Sequence, residues 1–118
     1  MANSTIVKIL IIILIIVGES LAILAEMLAA KYYIQHPFLQ AFSKVVLMMI
    51  VGGGFLVAGY ILGFRFFQNI WIVSVVSITS ILIMEPLLIY LVFNQAPTRG
   101  GLIGFILGAL GFMAALFL

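Results

Sequence analysis

The stretch Thr5–Ala30, TIVKILIIILIIVGESLAILAEMLAA, decides the fold class. A helix needs about 20 apolar residues to cross the hydrocarbon core of a bilayer, and this stretch is longer than that. Of the 118 residues in the chain, 67% are hydrophobic and 7% are charged, whereas a soluble domain is about half apolar and a quarter charged. The chain is therefore predicted to be an integral membrane protein whose first partner is the lipid bilayer.

The remaining sequence divides into three further apolar segments of spanning length. Short connections separate them, reading QHPFLQ, RFFQN and NQAPTRGG, and their proline, glycine and asparagine residues are typical of turns. The predicted helices cover residues 5–30, 41–64, 70–93 and 101–118. The first segment runs past the length of a signal-peptide core and contains acids, so we expect it to be retained. The prediction is one all-α domain over 1–118, a four-transmembrane-helix bundle whose sequential neighbours run antiparallel.

Lysine and arginine near the helix ends give almost no orientation signal. Lys8 and Arg65 fall on one predicted side, and Lys31, Lys44 and Arg99 on the other, although topology normally follows such charges. Two alternatives stay open: a fixed orientation with a weak signal, or dual topology with antiparallel pairing of copies. Four helices are few for enclosing a substrate path, so we expect a dimer. We expect its location to be the cell inner (plasma) membrane.

All three acids of the chain are glutamates inside apolar segments: Glu19, Glu26 and Glu85. A charge at the bilayer centre costs about 2.5–3.5 kcal/mol even on permissive insertion scales, and such residues usually mark pathways or relays. Glu19 and Glu26 are seven residues apart, which places them on nearly the same helix face about 10 Å apart. One hypothesis is that a proton and a cationic substrate compete for a carboxylate. The alternative is a structural acid that bonds a serine or a carbonyl and holds helices together.

The third acid stands before a proline within the third segment. Pro86 lacks an amide donor and crowds the preceding turn, which frees a carbonyl near Leu82. Ser74, Ser77 and Glu85 fall within an arc of about 80° at helical spacing and predict a weakly polar stripe facing the bundle interior. Alternatively, Glu85 lies near the interface and contacts headgroups or water.

Glycines in the second and fourth segments predict close helix packing. Small residues four apart let helix backbones approach within the membrane. The fourth segment is otherwise bulky and apolar, which favours a dimer seam over a cavity wall. The glycines predicted to pack are Gly59, Gly63, Gly104, Gly108 and Gly111.

Several function classes find no support in the sequence. The chain has no cysteine and one histidine, His36, in a loop beside a proline. It shows no catalytic triad, metal cluster, nucleotide motif or basic aromatic patch. We therefore expect no enzyme activity, no cofactor, no metal and no nucleic-acid partner.

Several strings resemble the small multidrug resistance family of the drug/metabolite transporter superfamily. They are AILAE in the first helix, GFRFFQNIWIVSVVSI at the junction of the second and third helices, and LVFNQAPTRGGLIGFILGALGFMAALF at the end. The resemblance implies an antiparallel, dual-topology homodimer that works by alternating access. It also implies an acid on the first helix that binds protons and a small cationic or amphiphilic substrate in turn.

Two positions could carry that exchange role. AILAE places Glu26 in it, whereas matching by depth along the helix places Glu19 there. Drug-exporting members carry a tyrosine and a tryptophan on the third helix, and matching from FQN puts Val73 and Val76 at those positions. Two alternative functions remain open: a flippase or flippase subunit for a lipid-linked polyprenyl sugar, and a non-transporting structural membrane subunit.

Overall fold

The computed structural model describes residues 2–118, with side chains for 4–115, 117 and 118, and this part of the chain forms four helices. They are α1 (Ala2–Tyr33), α2 (Phe38–Phe67), α3 (Ile70–Phe93) and α4 (Arg99–Phe117). The predicted all-α, four-helix architecture is confirmed. The first two helices extend beyond their apolar segments, because a helix continues through flanking polar residues until a cap or a proline ends it.

Local capping chemistry sets the connections between helices. Gln68 and Asn94 end α2 and α3 in the left-handed conformation, with φ of 55° and 56°, as residues that close helices often do. Asn69 starts α3 by accepting a hydrogen bond from the backbone amide two residues ahead, at 3.0 Å. Thr98 starts α4 in the same way, from the amide three residues ahead, also at 3.0 Å. These caps keep two of the connections short.

Helix α1 is the centre of the bundle, because it packs against both α2 and α3. Within residues 2–118, α4 packs against α3 alone and leaves the rest of its surface open. Helix α2 continues without a break through its three consecutive glycines. Helix α3 likewise continues through Pro86.

Close backbone approach joins α1 to α2. A Cβ added to Gly18 would lie 2.9 Å from the carbonyl oxygen of Gly52 and 2.8 Å from Cγ of Leu56. Side chains larger than hydrogen would therefore force the helices apart. Small residues in this role are typical of membrane bundles, where apolar burial gives little drive for helix association.

The most deeply buried apolar side chains are Ile11, Ile15 and Val73, each fully buried. They form one cluster between α1, α2 and α3. Gly59 contacts Ile15, and Gly63 contacts Val73 and Ile11. The glycine pair of α2 thus makes room for the core of the single chain.

Three of the described helices are long and apolar enough to cross a membrane. The fourth helix, α4, is also apolar but is shorter than the other three. Many large apolar side chains are exposed on the outer surface, including Leu47 at 69% and Ile50 at 64%. A surface of this kind is suited to lipid rather than water, which supports membrane insertion.

Candidate functional site

A hydrogen bond between α1 and α3 holds one of the three acids. Oγ of Ser77 donates to Oε1 of Glu19 at 2.5 Å, a length typical of a hydroxyl bonded to a carboxylate. Ser77 is 5% exposed and Glu19 is half-buried. The structure thus brings together two residues that the sequence analysis selected for separate reasons.

Glu19 lies at the middle of the 30-residue apolar span Ser4–Tyr33. In the described part of the chain, every fully buried side-chain oxygen has a hydrogen-bond partner. The Ser77 bond engages Oε1, and no described residue bonds Oε2 of Glu19. Oε2 is therefore accessible at the surface of the chain, so the carboxylate is anchored on one side and open on the other.

The other first-helix acid has a different environment. Glu26 is exposed and lies seven residues, or about 10 Å, nearer the α1–α2 loop. Helical spacing alone places the two acids on one face, and of the two it is Glu19 that bonds a residue of α3.

The polar residues of α3 are not all used in the same way. Ser74 and Glu85 are half-buried. Ser80 is 5% exposed, and its hydroxyl donates to the backbone carbonyl of Val76 at 2.8 Å. That bond satisfies the hydroxyl within its own helix. Among the described residues of this stripe, Ser77 is the one that reaches across to an acid.

A groove of about 220 Å³ lies between α1 and α3. Ile12, Ile16 and Ile83 line it and are 38%, 37% and 61% exposed, so the groove opens on the outer surface of the helix bundle. Its lining is aliphatic apart from two hydroxyl residues. The lining residues are Ile12, Ile16, Val75, Val76, Thr79, Ser80, Ile83 and Met84.

A second contact between the same helices fixes their relative direction. Nζ of Lys31 donates to the backbone carbonyl of Val92 at 3.0 Å, where a cation favours the negative end of helix α3. The residue numbers in this pair differ by 61, and those of Glu19 and Ser77 differ by 58. The nearly constant difference shows that α1 and α3 run parallel. Glu85 on α3 therefore lies at about the same depth along the bundle as Glu26 on α1.

The α1–α2 loop carries the chain's one histidine among basic and aromatic residues. Nζ of Lys44 lies 3.5 Å from Nε2 of His36 and 5.1 Å from the ring centroid of Tyr32. No group of three or more histidine, cysteine, aspartate or glutamate residues that could hold a metal ion occurs among the described residues. The cluster is far along α1 from Glu19 and takes no part in that site.

The glycines of α4 are placed differently from those of α2. A Cβ on Gly104 or Gly111 would meet nothing within 4 Å, while one on Gly108 would touch Leu82 of α3 at 3.4 Å. The described chain therefore leaves most of this stripe without a packing partner.

Two contributors to the site were not assigned by the sequence analysis. Ser80 lies one turn beyond Ser77, and its helical spacing from the other serines could have placed it on the same stripe. The contact between Lys31 and Val92 left no signal, because a backbone carbonyl acceptor has no sequence signature.

No protein-family model, curated protein or solved structure matches this chain. The residues of the site therefore carry the functional argument by their own chemistry.

Proposed function

We propose that this chain is a small integral-membrane transporter that exchanges protons for a small cation or amphiphile by alternating access. Its support is the carboxylate of Glu19, half-buried at mid-span, anchored by Ser77 and open at Oε2. We further propose that it belongs to the small multidrug resistance type, in accordance with the sequence resemblance.

The exchange follows from the cost of an isolated charge. A carboxylate without a counter-charge is expensive in a low-dielectric medium. A bound proton or a bound cation neutralises it. Because one carboxylate carries a single negative charge, the two compete for the site. Binding of the cation at Glu19 therefore releases the proton, and the cation-loaded site crosses the membrane. On the other side a proton displaces the cation, and the protonated site returns, so the charged empty site never has to cross.

Glu19 suits this role better than Glu26 because its side chain is more buried. Glu19 sits between two helices beside an open groove, whereas Glu26 is exposed on the single chain. We propose Glu19 as the exchange carboxylate and Glu26 as a second acid nearer the loop end of the same face.

A second copy of the chain would complete the site. Helix α4 has 19 residues, or about 28 Å, which is close to the hydrocarbon thickness of about 30 Å. We propose that α4 spans the membrane and that its open glycine stripe packs against α4 of the second copy. The near balance of lysine and arginine supports an antiparallel pair. A C-terminal tag labelled from both membrane faces supports that arrangement, and labelling from one face alone excludes it.

The test of function uses purified protein in liposomes with an imposed pH gradient. Methylammonium, butylammonium, guanidinium and tetraethylammonium are added separately, and proton movement is followed with a trapped pH-sensitive dye. We expect at least one cation to drive proton movement with the wild-type protein, and Glu19→Gln to reduce it to the level of protein-free liposomes.

Glu26→Gln is the matched control, because it removes the same charge from the same helix face. We expect it to retain coupled transport. Wild-type coupling in Glu19→Gln, with folding intact, removes Glu19 from the mechanism.

A second candidate is a non-transporting structural subunit, favoured by the bond from Ser77 to Glu19. In that case Glu19→Gln destabilises the bundle, and no cation moves protons even with the wild-type protein. Proton movement with the wild-type protein separates the two candidates, because loss of the bond lowers thermal stability in both cases.

A further inference from the structure

The groove between α1 and α3 is lined in part by residues within one helical turn of Ser77 and Glu19, although these two residues are not part of its lining. Ile16 is one turn before Glu19 on α1, Ser80 is one turn after Ser77 on α3, and Val76 is the neighbour of Ser77. All three line the groove. A molecule whose charged end reached Glu19 would therefore have the rest of its length against this wall.

The wall offers surface for an alkyl chain. The hydroxyl of Ser80 is engaged by the carbonyl of Val76, which leaves aliphatic surface over most of the groove. Its volume of about 220 Å³ is below the range of about 300–1,000 Å³ for pockets that enclose drug-sized ligands. A short, flexible chain fits this space better than a bulky ring system or a polyprenyl-linked sugar.

The charged end of the site consists of acceptors. Oε2 of Glu19 has no partner among the described residues, and Oγ of Ser77 keeps lone pairs after donating its proton. Hydrogen bonds with an ionised acceptor are about twice as strong as neutral ones. A cation with N–H groups makes such bonds, whereas a quaternary ammonium has no N–H to donate.

The described residues that line the groove itself include no aromatic ring that could take the place of those bonds. Phe112 of α4 lines a separate cavity, on the α4 side of Thr79 and Ile83. Quaternary ammonium groups are recognised by the faces of aromatic rings. The half-buried rings of Tyr60, Phe66 and Phe67 pack on the cluster of Ile11, Ile15 and Val73. At the level of Glu19, α2 presents Gly52 and Leu56, since both contact the adjacent Gly18.

We propose that this site takes a protonated primary amine with a short alkyl chain in preference to a quaternary ammonium. The ammonium group binds Oε2 of Glu19 and Oγ of Ser77, and the chain lies in the groove beside Ile16 and Val76. This inference names the substrate class of the proposed transporter and in that respect rests on the proposed function.

Direct binding tests the preference without any transport measurement. The wild-type protein, with ¹³C-labelled glutamate, is placed in nanodiscs and titrated with butylammonium and with butyltrimethylammonium. Only three glutamates are present, so Glu19→Gln assigns the Glu19 carboxyl signal. We expect butylammonium to shift that signal at a concentration at least about tenfold lower than butyltrimethylammonium does. A tenfold difference in Kd corresponds to about 1.4 kcal/mol of binding free energy.

The position of the alkyl chain has its own matched pair of variants. Ile16 lines the groove, whereas Val17 lies on another face of α1 and is equally exposed, at 37%. With the wild-type protein, butylammonium should bind more tightly than ethylammonium. Ile16→Trp should remove that advantage, and Val17→Trp should keep it.

The possible failures are distinguishable. Equal or tighter binding of butyltrimethylammonium at Glu19 overturns the inference, even if proton-coupled transport is observed. Loss of the chain-length advantage in both tryptophan variants, or in neither, overturns the placement of the chain. Absence of transport with every cation rejects the proposed function, while Glu19-dependent binding of butylammonium would still support the ligand preference.

Discussion

Gly18 on α1 and Gly52 on α2 lie back to back. A Cβ on Gly18 would be 2.9 Å from the carbonyl oxygen of Gly52, and a Cβ on Gly52 would be 3.1 Å from that of Gly18. Because the contacted atoms belong to the backbone, neither helix can yield by rotating a side chain. The contact between Gly18 and Gly52 therefore fixes the separation between α1 and α2, and it lies one residue before Glu19.

We expect Gly18→Ala to destabilise the protein by about 1–3 kcal/mol, the usual cost of overpacking a well-packed contact. Reversible unfolding in mixed detergent micelles, followed by circular dichroism, measures the change. Gly53→Ala is the control, because a Cβ there meets nothing within 4 Å. Equal stability of the two variants would contradict the close approach of α1 and α2.

The two buried serines of α3 should differ in their contribution to stability. Ser77→Ala removes the donor to Glu19 and should cost about 0.6 kcal/mol, the measured average for hydrogen bonds between membrane helices, and no more than about 1.7 kcal/mol, the largest such value. Ser80→Ala removes a bond to a carbonyl of the same helix and should change the free energy of unfolding by less. The same unfolding assay compares them. A larger loss for Ser80→Ala would show that the cross-helix bond is not the stabilising one.

Lys31 should protect the end of α3 from opening. Lys31→Met removes the ammonium group from the carbonyl of Val92, a helix-end interaction worth about 0.3–1 kcal/mol, so amides in the last turn of α3 should exchange about two- to fivefold faster. Hydrogen exchange with mass spectrometry reads this locally. Lys8→Met, at the opposite end of α1, is the control and should leave that turn unchanged.

Cross-linking tests the packing of α4 in the proposed dimer. The chain has no cysteine, so single substitutions can be used without a background signal. In an antiparallel pair Gly104 of one copy lies opposite Gly111 of the other, so we expect co-expressed Gly104→Cys and Gly111→Cys chains to form mixed disulfide-linked dimers under mild oxidation in membranes. Ile106→Cys, on a different face of the same helix, should give no dimer with either variant on a denaturing gel. Equal cross-linking in all combinations would indicate collision between chains rather than a seam.

Much of the fold could be predicted because hydrophobicity dominates this sequence. Apolar segment length gave four helices, and Gln68, Asn69 and Pro97 marked two of the turns. The helix ends were less accurate. Tyr33 and Phe38 both belong to helices, since capping geometry rather than composition ends them.

The site was predictable as a set of residues but not as a geometry. Charge in an apolar setting singled out both Glu19 and Glu26, and the AILAE string favoured Glu26. Helical spacing could not separate them, because it predicts a face but not the neighbouring helix. Which acid is enclosed depends on the rotation and depth of α3 relative to α1. That relation is set by contacts between residues about 60 positions apart, which a single sequence does not reveal.

The distance in sequence between Glu19 and Ser77 affects how the protein is made. Ser77 is synthesised 58 residues after Glu19, which at about 5–20 residues per second is a delay of roughly 3–12 s. During that interval the newly made α1 has no α3 beside it, and its mid-span acid lacks its serine. A chaperone or insertase that shields this acid would therefore act before translation of the third helix is complete.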